Sequence, residues 1–119
     1  MQPWYVYLLN CQDGSLYTGV AVDVAKRFAA HQAGKGAKYT RAHPPESIAL
    51  ILKCANRSVA QKLEYAIKQL SVAAKRRLIA GETAALAERF YCDADGIWLI
   101  ASPNNAAEAI PGDASELAV

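Results

Sequence analysis

The chain is poor in the residues that mark several protein classes. Its 119 residues include three cysteines, two tryptophans, two phenylalanines and one methionine. Cys11, Cys54 and Cys92 are widely spaced, odd in number and form no CxxC pair. This argues against a disulfide framework and against a thiolate zinc cage, and it suits a reducing, cytoplasmic setting. No apolar run approaches the roughly 18–20 residues of a membrane-spanning helix, so no membrane span is expected. The opening MQPWYVYLLN has neither the basic start nor the small-residue cleavage site of a secretory signal. No internal repeat is visible. Apolar residues nevertheless make up 53% of the chain, enough for a core and too many for wholesale disorder. The length suits one domain rather than two.

Acidic residues are scarce in the first two-thirds. Residues 1–80 carry twelve basic residues against Asp13, Asp23, Glu46 and Glu64, a net charge of +8. Residues 81–119 carry Arg89 against seven acids, a net charge of −6. The overall +2 therefore hides a basic body and an acidic end. A basic body suits a polyanionic partner, although a solubilising surface would read the same way. An acidic tail can also fold back over a basic face.

Trp4 to Cys11 is aromatic and β-branched and predicts a strand. The turn residues Gln12-Asp13-Gly14-Ser15 lead into a second strand, Leu16 to Val22. Asp23 can cap a helix that carries Val24 and Phe28 inward and stops at Gly34. Residues 34–46, GKGAKYTRAHPPE, read as an exposed basic loop. Ser47 to Ala55 predicts a third, central strand. Ser58 with Gln61 makes a capping-box pattern ahead of a helix striped by Val59, Leu63, Ala66, Ile67 and Leu70. Ser71 can cap a further helix over 72–80, closed by Gly81. Thr83 to Phe90 reads as helical, and Phe90 to Ile100 as a short hairpin about Asp95-Gly96. The expected fold is α+β: a three-stranded, mostly antiparallel sheet flanked by helices in the order ββαβαα. The chain divides into a body of residues 1–81, an extension of 82–101, and an acidic tail of 102–119 that reads as disordered.

Several polar residues have ordinary uses when taken singly. Tyr5, Tyr7 and Tyr17 could simply pack in strands. Arg27 and His31, four apart, could be a solvated helix face, and Glu64 could pair with Lys68 one turn on. Gly19 is less ordinary, because a mid-strand glycine weakens a strand unless a bulge or a close backbone approach needs it. Together with GKGAKYTR the set changes character. Two phenols, a guanidinium, an imidazole and a carboxylate are the groups that metal-assisted phosphodiester cleavage requires, and a basic loop would grip the substrate.

The ordered series resembles a GIY-YIG nuclease domain of the small stand-alone bacterial kind, over about residues 3 to 80. Tyr5-Val6-Tyr7 stands where the family's GIY strand falls, and Tyr17-Thr18-Gly19 where YIG falls. TGVAVDVAKRFAAHQAGKGAKYTR resembles the stretch after YIG, KLEYAIKQL carries the acidic residue at Glu64, and KQLSVAAKRRLI resembles the segment that follows. Tyr5 replaces the Gly of GIY, and Thr18 the Ile of YIG. The late Asn of many family members has no clear counterpart, since Asn104 and Asn105 fall in the tail.

The resemblance implies metal-dependent hydrolysis of DNA by in-line attack of water, in repair or in processing of single-stranded or branched DNA. Glu64 would hold one Mg²⁺ or Mn²⁺. Arg27 would clamp the phosphate. Tyr7, in preference to Tyr17, would be the general base, with the other phenol orienting water or phosphate, and His31 would relay or orient a proton. Lys35, Lys38, Tyr39 and Arg41 would contact nucleic acid, Tyr39 by stacking on a base. A nucleic-acid-binding module, or a nuclease subunit that depends on a partner protein, is the competing reading. One geometric requirement follows. Both phenols must face the same side of the sheet, so the hairpin needs an odd loop, such as Asp13-Gly14-Ser15, or a bulge.

Overall fold

The computed structural model describes residues 2–101. The chain forms β1 (Trp4–Cys11), β2 (Leu16–Ala21), α1 (Val24–Gln32), α2 (Lys38–Ala42), β3 (Pro45–Cys54), α3 (Arg57–Lys68) and α4 (Val72–Ile79). A single 3-10 turn (Ala84–Leu86) then leads to β4 (Phe90–Cys92) and β5 (Trp98–Ile100). The fold is α+β, but the sheet has five strands rather than three, in the order β2-β1-β3-β5-β4. The expected hairpin at Asp95-Gly96 forms. It attaches to the sheet through a parallel bridge between Cys54 and Trp98, which adds the two strands that the sequence reading left apart.

The first hairpin has the register that the two phenols need. Tyr7 pairs with Gly19 and Leu9 with Tyr17, so Tyr7 and Tyr17 lie on one face. The loop is odd, but it consists of Gln12, Asp13 and Gly14, because Ser15 still pairs: the Cys11 N–H donates to the Ser15 carbonyl at 2.9 Å. Gly14, at φ +86°, takes the left-handed position that such a three-residue loop requires. Arg76 of α4 holds this turn by donating to the Gly14 carbonyl at 2.8 Å.

Helix caps follow short-range chemistry. The Asp23 carboxylate accepts from the Lys26 N–H, and the Ser71 hydroxyl from the Ala74 N–H. The α3 cap is Asn56 rather than Ser58, since the Asn56 side chain reaches the Val59 N–H and leaves Ser58 in the first turn. Two further expectations are corrected. The stretch 34–46 contains the short helix α2, and Thr83 to Phe90 makes only one 3-10 turn because Phe90 is taken into β4. A segment of that length cannot nucleate a stable helix alone, so a sheet partner decides its state. The acidic tail, 102–119, lies outside the described residues.

The sheet separates two apolar clusters. Val6, Leu8, Leu52 and Cys54 meet Val59, Leu63 and Ile67 of α3, together with Leu78, Leu86, Phe90 and Trp98. On the other face Tyr7, Leu9, Ala21 and Val24 form a smaller cluster, with Tyr5, Tyr17, Phe28 and Ile48 against it. Among the described residues no helix is long and apolar enough to cross a membrane.

Candidate active site

Strand β1 carries Tyr7 into the smaller cluster, where it is 1% exposed. Its ring lies across the neighbouring strand over Gly19. A methyl group on Gly19 would stand 2.5 Å from the Tyr7 hydroxyl, which is the close approach that a mid-strand glycine signals. Helix α1 brings His31 to the same place. The Tyr7 hydroxyl and His31 Nε2 are 2.9 Å apart, and both groups are buried. Tyr17 completes the cluster, with its ring centre 6.3 Å from that of Tyr7 and 5.1 Å from that of His31.

Burial, then the neighbouring Tyr17 and Glu64, push the Tyr7 phenol up to about 12. Arg27 opposes them from beside the hydroxyl. Burial, followed by the same guanidinium, lowers the pKa of His31. The imidazole is therefore neutral at ordinary pH, and the phenol keeps its proton. No carboxylate pairs with Arg27 among the described residues, and it faces solvent one helical turn from His31.

Glu64 arrives from the other side of the sheet, on α3. It is half-buried, and its Oε2 is 3.3 Å from Lys68 Nζ, the pairing that its spacing allowed. Strand β2 is the edge of the sheet, and α3 packs on it as well as on β1. The two sides meet at this edge. The charge of Glu64 acts on Tyr7, and a cleft of about 210 Å³ is lined by Leu16, Tyr17, Thr18, Tyr39, Lys68 and Lys75. Among the described residues no group of three or more His, Cys, Asp or Glu side chains could cage a metal.

The basic segment lies beside the phenols. Lys38, Tyr39 and Arg41 sit on α2, and Lys35 just before it, all exposed. The lysines and Arg41 form no ion pair among the described residues, so their charges are available to an anion. Tyr39 stacks on Tyr17 at 5.9 Å and on His43 at 4.2 Å. An aromatic ladder thus runs outward from the buried pair. It ends where His43 hydrogen-bonds to Asp13 in the first turn. The hydroxyl of Ser15, then His43, hold the Asp13 carboxyl well below the usual carboxylate range.

Sequence reasoning missed Thr40, Gly36, His43 and Lys75. Only Lys75, in the run Lys75-Arg76-Arg77, carried a visible signal. Thr40 is 1% exposed and lies against His31, with Oγ1 2.7 Å from Nδ1. Thr18, in the YIG position, is buried, and its hydroxyl has no partner among the described residues. Among the described residues no Asn joins the cluster: Asn10 bonds to Ser47 and Asn56 caps α3, while Asn104 and Asn105 lie outside the described residues. A larger cleft of about 470 Å³, between Tyr65 and Phe90, contains none of the predicted site residues.

Comparison with known proteins shows the family. The GIY-YIG catalytic domain matches residues 3–77. A UPF0213 protein of Cronobacter sakazakii is 46% identical over 84 residues, which cover 71% of this chain and 88% of that protein. A UPF0213 protein of Cupriavidus pinatubonensis is 53% identical over 72 residues, covering 60% of this chain and 80% of that one. The solution structure of the UPF0213 protein BH0048 from Bacillus halodurans is 39% identical, covers 69% of this chain and 87% of that one, and superposes with a TM-score of 0.45.

Proposed function

The chain belongs to the GIY-YIG catalytic-domain family, and from that premise we propose that it is a divalent-metal-dependent endonuclease acting on DNA phosphodiester bonds. The observation that carries the reading is the buried contact between Tyr7 and His31, 2.9 Å long, beside Arg27 and the basic helix α2, which form no ion pair among the described residues. A binding module has no use for a phenol and an imidazole held together out of solvent. A phosphodiesterase has a use for each.

The donor set fits one hard cation. Glu64 is a single half-buried carboxylate whose partner, Lys68, is a solvent-facing ammonium that a cation could displace. One carboxylate suits Mg²⁺ or Mn²⁺, which keep most of their waters and share the rest of their shell with phosphate. Such an ion would supply Lewis-acid stabilisation of the phosphoryl charge. Arg27 would bind a non-bridging phosphate oxygen and offset the charge that grows in the transition state. Tyr7 would take the proton of the attacking water, and its own proton would go to His31. Tyr17 would orient the water or the phosphate. Because the phenol titrates near 12 in the resting site, it needs the added positive charge of metal and substrate to act near neutrality.

Lys35, Lys38 and Arg41 would hold the backbone, and Tyr39, at the outer part of the aromatic ladder, would stack on an exposed base. A base free to stack favours single-stranded or branched DNA, and with it a role in repair or DNA processing. So small a body offers little surface for sequence readout, which leaves room for a partner protein that selects the substrate. Three unpaired thiols are in keeping with the cytoplasm.

The test is cleavage of labelled single-stranded, duplex, forked, four-way-junction and RNA substrates with Mg²⁺, Mn²⁺ or EDTA, beside Glu64→Ala. Metal-dependent cutting that is lost in the variant supports the reading. Binding without cutting, unchanged in the variant, would replace it with a binding module or a partner-dependent subunit.

A further inference from the structure

The far side of the His31 ring is held as tightly as the side that faces Tyr7. Thr40 Oγ1 stands 2.7 Å from Nδ1, and the same hydroxyl donates to the Ala37 carbonyl at 2.9 Å. Both side chains are 1% exposed, so no bulk water competes. Gly36 lies flat against the ring, and a methyl group there would stand 2.1 Å from Nδ1. These contacts fix a proton. A threonine hydroxyl has one hydrogen, and a carbonyl can only accept. With that hydrogen given to Ala37, Oγ1 has only lone pairs to offer, so Nδ1 must carry the hydrogen between them. Neutral imidazole has a single N–H, so Nε2 is bare. The Ala37 N–H also faces Nδ1, but at 3.4 Å, and the shorter Thr40 contact decides the tautomer.

We propose that Thr40 is a positioning residue that fixes the proton of His31 on Nδ1 and so leaves Nε2 to accept the proton of Tyr7. The proposal deepens the nuclease reading and rests on its assignment of Tyr7 to the attacking water. The proton count closes. The Tyr7 hydrogen moves to Nε2, leaving a phenolate and an imidazolium. The phenolate then takes a proton from the attacking water as its oxygen bonds to phosphorus and the bond from phosphorus to the leaving sugar oxygen breaks. That alkoxide takes up a proton from solvent, which matches the one the imidazolium gives back. In the opposite tautomer Nε2 would already hold a hydrogen, and the phenol would have no acceptor in contact. Thr40 also ties the step to the substrate. It lies between Tyr39 and Arg41 on α2, and its acceptor, Ala37, is that helix's N-cap. The turn that would grip nucleic acid is the turn that sets the histidine.

The experiment uses the full chain, labelled with ¹⁵N. Long-range ¹H–¹⁵N correlation reports the His31 tautomer in the wild type, Thr40→Ser and Thr40→Val, without metal or nucleic acid. Single-turnover cleavage with Mn²⁺ is measured on the same samples. The Nδ1–H form is expected in the wild type and in Thr40→Ser. Thr40→Val should move the signal toward Nε2–H and slow cleavage by at least about tenfold, a part of the 10²–10⁴ that a positioned proton acceptor contributes. A wild type in the Nε2–H form, or a Thr40→Val that keeps Nδ1–H, overturns the proposal whether or not any substrate is cut. If Thr40→Val does not fold, the wild-type and Thr40→Ser spectra still decide the tautomer. An Nδ1–H wild type that cuts nothing supports the role of Thr40 in setting the ring and overturns the nuclease reading instead.

Discussion

On one face of the sheet, Leu8, Leu63, Ile67, Leu78 and Trp98 bury against one another with scarcely a polar atom between them. On the other face, Tyr7, His31 and Thr40 are just as deeply buried but form a chain of hydrogen bonds. The first arrangement is non-directional and tolerates repacking. The second fixes atoms to within the reach of a hydrogen bond, and each member left without its partner carries a desolvation cost. The comparison separates stability from chemistry by position. Substitutions under α3 should change how firmly the chain folds. Substitutions under α1 should change what the folded chain can do.

The widest contrast sets Tyr7→Phe against Leu63→Ala. Removing the Tyr7 hydroxyl should lower metal-dependent cleavage by about 10²–10⁴ while the circular-dichroism spectrum is preserved. Removing the Leu63 side chain, which is fully buried, should cost about 2–5 kcal/mol of stability in urea unfolding. Its cleavage rate per folded molecule should stay near the wild type. A Tyr7→Phe protein that cuts normally would erase the distinction between the faces.

The next contrast is in pH. The Tyr7 phenol lies at about 12 in the folded chain, against about 10 when free. The folded state therefore holds this proton more tightly, and the associated stability is present below pH 10 and is lost as pH rises toward 12. Two pKa units correspond to about 2–3 kcal/mol. His31 is shifted the other way, so its contribution is complete above about pH 6.5 and erodes as pH falls below that value. Urea titrations from pH 5 to 11 should show Tyr7→Phe losing less stability than the wild type at the alkaline end. Parallel curves would place the phenol in solvent.

Gly36→Ala brings the contrast to a single methyl group. The added carbon would stand 2.1 Å from His31 Nδ1, and a ring held at both nitrogens cannot yield cheaply. Overpacking of this kind costs about 1–3 kcal/mol. Cleavage should fall by about tenfold or more at temperatures where the variant is fully folded, because the ring can move only by leaving Tyr7 or Thr40. A variant of normal rate would show that the histidine's position is not critical.

How much of this was legible depended on the range of the interaction involved. The first hairpin, the caps at Asp23 and Ser71 and the stripe of α3 are set by neighbours a few residues apart, and all were readable. The shared face of Tyr7 and Tyr17 did not follow from strand parity alone, since a two-residue turn would have set them on opposite faces. It followed from the requirement that both phenols reach one site, and the odd loop meets it. Strands β4 and β5 did not yield their place in the sheet. Each is three residues long, and they join it through Cys54 and Trp98, which are far apart in sequence. The site shows the same division. Tyr7, Tyr17, Arg27, His31 and Glu64 could be chosen because their chemistry and order form a pattern. Thr40 could not be chosen, because a threonine inside a basic loop has no periodicity and no motif. Its position opposite His31 exists only once α2 folds back on α1.

Thr18 breaks the rule that the α3 face is purely apolar, and it gives the smallest test. It pairs with Leu8 and is buried on that face, 4% exposed, yet its hydroxyl has no hydrogen-bond partner among the described residues. Valine has nearly the same shape and would leave no polar atom unpaired. An orphaned buried hydroxyl costs about 1–3 kcal/mol, so Thr18→Val should raise stability by about 1 kcal/mol. For a body of this size that is a melting temperature higher by roughly 4–8 °C. Thr18 also borders the cleft shared by Tyr17, Lys68 and Lys75, so a second measurement is informative. If stability rises and oligonucleotide affinity falls, the hydroxyl meets a ligand at the edge strand, and the border between the two faces runs through residue 18. If stability rises alone, Thr18 is a polar residue in an apolar core, and the two faces remain as distinct as their packing indicates. A loss of stability would mean that the hydroxyl has a partner after all, most simply a buried water, and that the α3 face also relies on a directional bond.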